Sequence, residues 1–221
     1  MIWRIAVSLF LLATLVTSVE AFGQQEEQIW TSGQLTKVIP DSPWRFGVEG
    51  IYRHSRTRDT TLLQSFRTIV GYKLESDTVL TFIHESGQAA SDRDNEVRFI
   101  AQASHRFAFE ALDLGIRLRH EHRLFQDSKV WLKRSRVQFR LGLKSLQFLG
   151  VTPFTSQELM YLWNTVEARA AGSTEVRLVV GGSIEIAEGL SLDLAYQDRR
   201  TYSNSSETRT EALLVNTAYV F

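Results

Sequence analysis

The sequence contains no cysteine and only three prolines. The lack of cysteine excludes disulfides, thiolate metal sites and a lipid anchor on an N-terminal cysteine. Basic and acidic residues are equal in number, at 25 each, so no net charge attracts nucleic acid or an anionic membrane surface. No Pro/Gly/Ser-rich linker divides the chain, which predicts one folded domain.

Long apolar runs are also absent beyond the first residues. A cationic start, MIWR, precedes an apolar run that ends near Val16, and a polar exit with small residues follows. The run is shorter than the ~20 residues that a membrane-spanning helix needs. We therefore predict an export signal peptide over residues 1–21, with cleavage after Ala21 and cleavage after Gly23 as the alternative.

The remaining sequence alternates between apolar and polar residues with a period of two. From Leu112 to Arg123, aliphatic side chains alternate with charged ones, whereas a helix would spread these charges around its axis. Such segments predict ten strands between about Trp44 and Phe221, with twelve as the alternative, because bacterial barrels have even strand numbers. Residues 22–43 are left as an N-terminal segment, either an arm or an extra strand.

The composition of the polar faces distinguishes a soluble sandwich from a membrane barrel. Arginine dominates these faces and alternates with glutamate, which is typical of paired charges inside a lumen. Short connections alternate with longer polar ones, such as 164–174 and 200–210. Outer-membrane barrels have short periplasmic turns and long extracellular loops, with both chain ends on the periplasmic side. We therefore predict an all-β, antiparallel transmembrane β-barrel over residues 44–221, located in the bacterial outer membrane.

The last strand ends the chain with an aromatic residue, and apolar residues precede it at alternate positions. The pattern is similar to the signal read by the barrel-assembly machinery. We therefore expect as partners that machinery and periplasmic chaperones during biogenesis, and outer-membrane lipids afterwards. The residues of this assembly signal are Leu213, Val215, Tyr219 and Phe221.

Several short motifs of charged and aromatic residues recur along the predicted strands. They are Arg117-x-Arg119-x-Glu121-x-Arg123-x-Phe125, Arg134-x-Arg136-x-x-x-Arg140, Trp44 with Glu49 and Arg53, Asn95-Glu96-x-Arg98, Glu158, and Tyr196-x-Asp198. With these motifs the sequence resembles a family of uncharacterised bacterial outer-membrane β-barrel proteins, a domain of unknown function of DUF2490 type. The resemblance covers the mature chain and implies a barrel with a charged lumen, with no known reaction. The N-terminal segment departs most from the family pattern.

The largest candidate site is a network of lumen charges. It is either an anion-selective lining or a structural filling in which arginine–carboxylate pairs satisfy one another. Because a barrel of about eight strands is already filled by side chains, we favour the structural interpretation. The predicted members are Glu96, Arg98, Arg117, Arg119, Glu121, Arg123, Arg134, Arg136, Arg140, Glu158, Glu175 and Arg177.

A catalytic alternative is the pair His84 and Ser86, which point the same way on a strand, so the imidazole could activate the hydroxyl. The pair looks like the His-x-Ser of outer-membrane phospholipases and lipid A deacylases. In those enzymes asparagine follows the serine, whereas Gly87 follows here, and no third group is identifiable. The alternative function is therefore a lipid acyl hydrolase, and the preferred one is a non-enzymatic envelope scaffold or narrow pore.

Other chemistry has weaker support in the sequence. His120 and His122 share a strand face, but they lack a third ligand, so we expect no metal site and no cofactor. The long polar loops leave open a third function, that of a surface-binding protein.

The tyrosines and tryptophans gather towards predicted strand ends, which is typical of the aromatic girdles at membrane interfaces.

Overall fold

The computed structural model describes residues 26–74, 77–89, 95–126, 129–164, 171–172, 174–203 and 206–221, and the predicted signal peptide lies outside them. No helix within these ranges is long and apolar enough to cross a membrane. One 3₁₀ turn lies at Lys144–Leu146. The strands are β1 (Glu26–Val38), β2 (Trp44–Ser55), β3 (Thr60–Lys73), β4 (Thr78–Ala89), β5 (Glu96–Ala108), β6 (Asp113–Phe125), β7 (Val130–Gly142), β8 (Val151–Leu162), β9 (Thr174–Ala187), β10 (Leu190–Ser203) and β11 (Ser206–Val220).

The strands form one closed barrel in which each pairs with its neighbours in sequence. All consecutive pairs are antiparallel. Closure is made by β1 and β11, which are parallel in register from Glu26 opposite Thr210 to Thr36 opposite Val220. On this seam the Ser32 hydroxyl donates a hydrogen bond of 2.9 Å to the Asn216 side chain.

The closed all-β barrel is confirmed, and its strand count falls between the ten and twelve expected. The extra strand is β1, so residues 26–38 of the predicted N-terminal segment form part of the barrel wall rather than a separate arm. Because an odd number of alternating strands must close with a parallel pair, the barrel is mixed rather than purely antiparallel. The expectation of an even number of strands was wrong, because the alternation within each strand does not determine how the first and last strands of the sheet pair.

The parallel seam also places the beginning of β1 and the end of β11 at opposite ends of the barrel. The turn end holds Phe221 and the connections 39–43, 109–112, 143–150 and 188–189. The loop end holds Glu26 and the connection 56–59, together with the strand ends at Ala89, Phe125, Leu162 and Ser203. The expectation that both chain ends share one side was therefore wrong for the barrel itself.

The last connection at the loop end is shorter than the sequence suggests. The polar segment 200–210, predicted to be a loop, is mostly strand, since β10 continues to Ser203 and β11 begins at Ser206. Polar residues continue the ladder there because every strand residue has backbone groups to pair, whatever its side chain.

Phe221 fixes the seam through its backbone. Its N–H donates to the Thr36 carbonyl at 3.0 Å, and its own carbonyl accepts from the Val38 N–H at 2.8 Å. The preceding Val220 N–H donates to Gly189 at 2.9 Å. Gly189 has a φ of +72°, which a glycine adopts without strain in this two-residue turn. The chain end is therefore joined to both neighbouring strands.

The barrel is apolar outside and polar inside, the reverse of a soluble protein. The period-two alternation of each strand directs one set of side chains outward and the other into the lumen. In β6, Leu118 is exposed outside while Glu121 is buried inside. Every strand contributes at least one large exposed apolar side chain, exemplified in strand order by Leu35, Val48, Val70, Phe82, Phe99, Leu118, Phe139, Leu159, Leu178, Leu194 and Leu213.

Candidate functional site

The lumen contains a network of arginines and glutamates. All the predicted members face inward, and Glu121, Glu96, Arg98 and Arg134 are among the most deeply buried side chains. A charge in a poorly hydrated interior is costly unless it is paired, and these side chains are paired across neighbouring strands. The network falls into two halves, over β2–β6 and over β6–β9.

The first half is centred on Glu85 of β4, which is completely buried. Arg67 lies between two carboxylates, with Nη1 2.7 Å from Glu49 and Nε 2.7 Å from Glu85. Arg98 Nη1 is 3.0 Å from Glu85. Arg98 also contacts Glu96, which in turn accepts from Arg123 of β6. Each carboxylate therefore joins two strands.

The second half is centred on Glu121 of β6, of which only 1 % is exposed. Arg134 contacts this carboxylate, Arg136 Nε lies 2.9 Å from it, and Arg119 Nη1 lies 3.7 Å from it. Three guanidiniums thus share one carboxylate.

The chain of pairs continues through Glu158 of β8. This carboxylate is 3.5 Å from Arg136, 3.2 Å from Arg177 and 4.0 Å from Arg117. Arg177 Nη2 also lies 2.5 Å from Glu175. A path of ion pairs therefore runs from β6 to β9.

Arg140 lies apart from this network, nearer the turn end. Its Nη2 donates to Asp193 at 3.0 Å, which links β7 to β10 across the intervening strands. Its guanidinium also stacks 3.8 Å from the ring centroid of Phe154. The pair therefore bridges strands that are not neighbours in the sheet.

Towards the loop end the lumen holds an aromatic residue, Trp30 of β1, which belongs to a buried apolar cluster with Phe154, Ala195, Ala212 and Leu214 and lies beside three arginines. The guanidinium carbon of Arg53 lies 4.0 Å from the ring centroid, that of Arg177 5.5 Å and that of Arg199 5.9 Å. The indole N–H donates to Gln28 at 2.6 Å. We call this group the Trp30 cluster: Trp30, Arg53, Arg177, Arg199 and Gln28.

Sequence reasoning did not name Arg67, Glu85 or Trp30 as site residues. The signal for Glu85 was present, since it alternates with His84 and Ser86 and so had to face the opposite side of β4. Trp30 could not be assigned to the lumen, because its segment was predicted as either an arm or an extra strand. Arg67 could have been assigned to the lumen face by the same alternation, once the bounds of β3 were known.

His84 and Ser86 both lie on the outer face of β4. The His84 ring packs against Phe99, with centroids 5.4 Å apart, and Ser86 is exposed. Within the described ranges no hydrogen bond joins the two side chains. His120 and His122 converge outside the barrel, with their Nε2 atoms 3.1 Å apart. The described part of the chain holds no group of three or more potential metal ligands.

The outer face also carries the predicted assembly-signal residues. Leu213, Tyr219 and Phe221 are exposed, and the rings of Tyr219 and Phe221 stack with centroids 5.5 Å apart. Val215 points to the same side. This placement leaves an aromatic strip on the outside of β11 at the turn end.

The fold and site together define a closed β-barrel with an ion-paired lumen. The chain belongs to the family described as "Protein of unknown function (DUF2490)", whose model matches residues 27–210. A comparison with curated proteins gave no match. Among solved structures, the NanC porin in a rhombohedral crystal form is similar, with a TM-score of 0.48 and 13 % sequence identity over 77 % of this chain and 85 % of the porin chain.

Proposed function

We propose that the protein is an integral outer-membrane barrel whose lumen is closed by its own ion pairs, and that it acts as a non-enzymatic envelope scaffold rather than as a pore. The observation that carries the proposal is the reversed polarity of a closed barrel, with exposed apolar side chains on every strand and buried charges inside. A closed sheet leaves no unpaired edge, which is the condition for β-structure within lipid.

Aromatic side chains near both ends of the barrel support this placement. At the turn end, Trp44 and Tyr72 contact edge to face, with ring centroids 4.9 Å apart. At the loop end, Tyr161 and Trp163 do the same at 5.0 Å. Tryptophan and tyrosine favour the two membrane–water interfaces, where the ring is in an apolar region and the polar atom reaches water. The export signal and the terminal aromatic residue predicted from the sequence are consistent with the outer membrane.

Burial of the charges supports a scaffold more than a pore. Glu85 and Glu121 are almost inaccessible, and a conducting lumen would keep such carboxylates hydrated. Moreover, each belongs to ion pairs with at least two arginines. Such networks restrain neighbouring strands and exclude water from the space that an ion would need.

Biochemical fractionation with gel migration tests the membrane placement, and conductance recording tests the closed lumen. The protein should fractionate with outer membranes, require detergent for extraction and migrate faster on a gel before boiling than after. In planar bilayers the purified protein should give no conductance steps, while an open porin reconstituted in parallel gives them. Recovery from the periplasm without detergent would contradict membrane placement, and regular conductance steps would contradict the closed lumen.

A lipid hydrolase that uses His84 and Ser86 is the alternative from the sequence. The outer-face position of both residues suits a lipid substrate, but the contact of His84 with Phe99 and the lack of a described His84–Ser86 hydrogen bond do not favour catalysis. Fatty-acid release from phospholipid that is lost in Ser86→Ala would replace the scaffold proposal with this one.

A further inference from the structure

The charges of the lumen network do not balance. A buried charge without a counter-charge is strongly destabilising, so an excess of one sign needs either water or a bound ion. The carboxylates that face this part of the lumen are Glu26, Glu49, Glu85, Glu96, Glu121, Glu158 and Glu175, of which Glu26 pairs with Arg58 of the β2–β3 connection. The arginines of the strands that face the same space outnumber them: Arg53, Arg67, Arg98, Arg117, Arg119, Arg123, Arg134, Arg136, Arg177 and Arg199.

The excess positive charge is concentrated in the Trp30 cluster. Arg177 is engaged by Glu158 and Glu175, and Arg199 donates to the Thr210 hydroxyl at 3.0 Å. Arg53, in contrast, makes no ion pair with any residue of the described ranges. Because Arg53 and Arg199 lie 4.0 and 5.9 Å from the same ring centroid, two like charges are held close together.

Unpartnered donors point into this part of the lumen. Arg53 Nε is buried and has no hydrogen-bond partner among the described residues. The same is true of Gln197 Nε2, on a side chain that is only 3 % exposed. The register brings Gln197 near the cluster, because Gln197 pairs with Ala212, which pairs in turn with Gln28. Ala212 carries only a methyl group, so no long side chain separates Gln197 from Gln28.

We propose that the Trp30 cluster, with Gln197, binds a small oxyanion of the phosphate or sulfate class. A guanidinium presents a planar fork of N–H donors that matches such an oxyanion, and the amide N–H group of Gln197 adds a neutral donor. The anion enters from the loop end, where Arg53 is only half-buried. It supplies the missing negative charge and holds β1 and β2 against β10.

Trp30 gives this site its own reporter, because a charge that arrives beside an indole changes its fluorescence. The proposal extends the closed barrel described above, but binding is measured on folded protein in detergent and does not depend on where the protein resides or whether it conducts. Titration of the folded protein with inorganic phosphate, and separately with sulfate, at constant ionic strength should give saturable binding by calorimetry and a fluorescence change. In Trp30→Phe that fluorescence change should disappear.

Arg53→Gln should weaken anion binding roughly tenfold or more, because a charge-assisted hydrogen bond is lost. Arg53→Lys keeps the charge but loses the planar fork of donors, so its anion affinity should lie between those of the wild-type protein and Arg53→Gln. Arg106→Gln is the matched control: Arg106 pairs with Asp113 at the turn end, and its removal should leave anion affinity unchanged.

The gel shift before boiling shows which variants are folded. If Arg53→Gln does not fold, Gln197→Leu and Arg53→Lys provide the comparison. Saturable binding that falls in these variants and not in Arg106→Gln supports the site. Absence of saturable binding to wild-type protein, or equal affinity in all folded variants, would overturn it.

Discussion

At the residue scale, the network concentrates stability in a few carboxylates. Glu121 is shared by three arginines, so its loss would remove one negative charge from the surroundings of three buried guanidiniums. Removing one partner of a buried ion pair costs about 3–5 kcal/mol, whereas surface pairs contribute about 0–1 kcal/mol. The difference arises because water screens a surface charge and cannot reach a buried one.

We expect Glu121→Gln to lower the free energy of unfolding by about 3 kcal/mol or more, because the isosteric amide keeps the volume and removes the charge. The measurement is urea unfolding of the folded protein in detergent, followed by tryptophan fluorescence. The control is Asp77→Asn, whose exposed pair with Lys73 at 3.7 Å should contribute less than about 1 kcal/mol. Equal effects of the two variants would show that water reaches the network.

The direction of individual side chains could be predicted from the sequence, whereas their ion-pair partners could not. Alternation predicts that Arg117, Arg119 and Glu121 share one face of β6, because a side chain's direction in a strand depends on its parity. In the structure this face is turned towards the lumen. Which carboxylate each arginine meets could not be predicted, since that depends on the stagger between strands. The surplus of arginine is visible in the sequence only after the facing residues of every strand are known.

At the scale of the elements, the strands were predictable where charge alternates with aliphatic residues. Strand β6 was expected from Leu112 to Arg123 and runs from Asp113 to Phe125. Strand β1 was uncertain because its lumen face, with Gln28, Ser32 and Gln34, carries no charge beyond Glu26 at its start to contrast with its outer face. Tertiary pairing with β2 and β11 therefore defines this strand more than its own sequence does.

Strand β1 provides a test of the parallel seam. Thr31 lies opposite Val215 across it, and both side chains point outward. Because the native chain has no cysteine, Thr31→Cys/Val215→Cys introduces one defined pair. We expect a disulfide under mild oxidation, since directly paired strand residues have Cα separations within the range that a disulfide spans. Peptide mapping by mass spectrometry measures its formation.

The register-shifted pair Thr31→Cys/Leu213→Cys is the control for this experiment. Leu213 lies opposite Ile29, so the Thr31–Leu213 separation is greater than a disulfide allows. Cross-linking of the control but not of the predicted pair would show a different register. A failure of both would favour closure of a ten-stranded barrel by β2 and β11.

At the scale of the whole molecule, the odd strand number divides the chain ends between the two sides of the barrel. Glu27, near the start of β1, lies at the loop end, where its backbone N–H donates to the Thr57 hydroxyl at 2.9 Å. Asp59 lies at the same end, and its side chain is 97 % exposed. Glu188, in the connection between β9 and β10, lies at the turn end.

In the proposed outer-membrane orientation, a membrane-impermeant maleimide should label Glu27→Cys and Asp59→Cys on intact cells. Glu188→Cys should react only after the membrane is opened. The loop end then faces the medium, as the longer connections of such barrels do. Labelled fractions are read by mass shift on a gel.

Protection of Glu27→Cys together with labelling of Asp59→Cys would contradict the position of β1. If Glu188→Cys were labelled on intact cells while Glu27→Cys and Asp59→Cys were protected, the barrel would have the opposite orientation in the membrane. Unchanged gel migration before boiling confirms that each variant is folded.

The seam between β1 and β11 also sets the order in which the molecule can be completed. Its contacts join residues about as far apart in the chain as the described structure allows, such as Glu26 and Thr210. Contacts of such long sequence separation form late, because the intervening chain must be ordered first. Until the last strand has been made, β1 has an open edge that can pair with another chain. A barrel that lacks β11 therefore keeps a free edge on β1 over its whole length, and the pairing with β11 is what protects β1 from other chains.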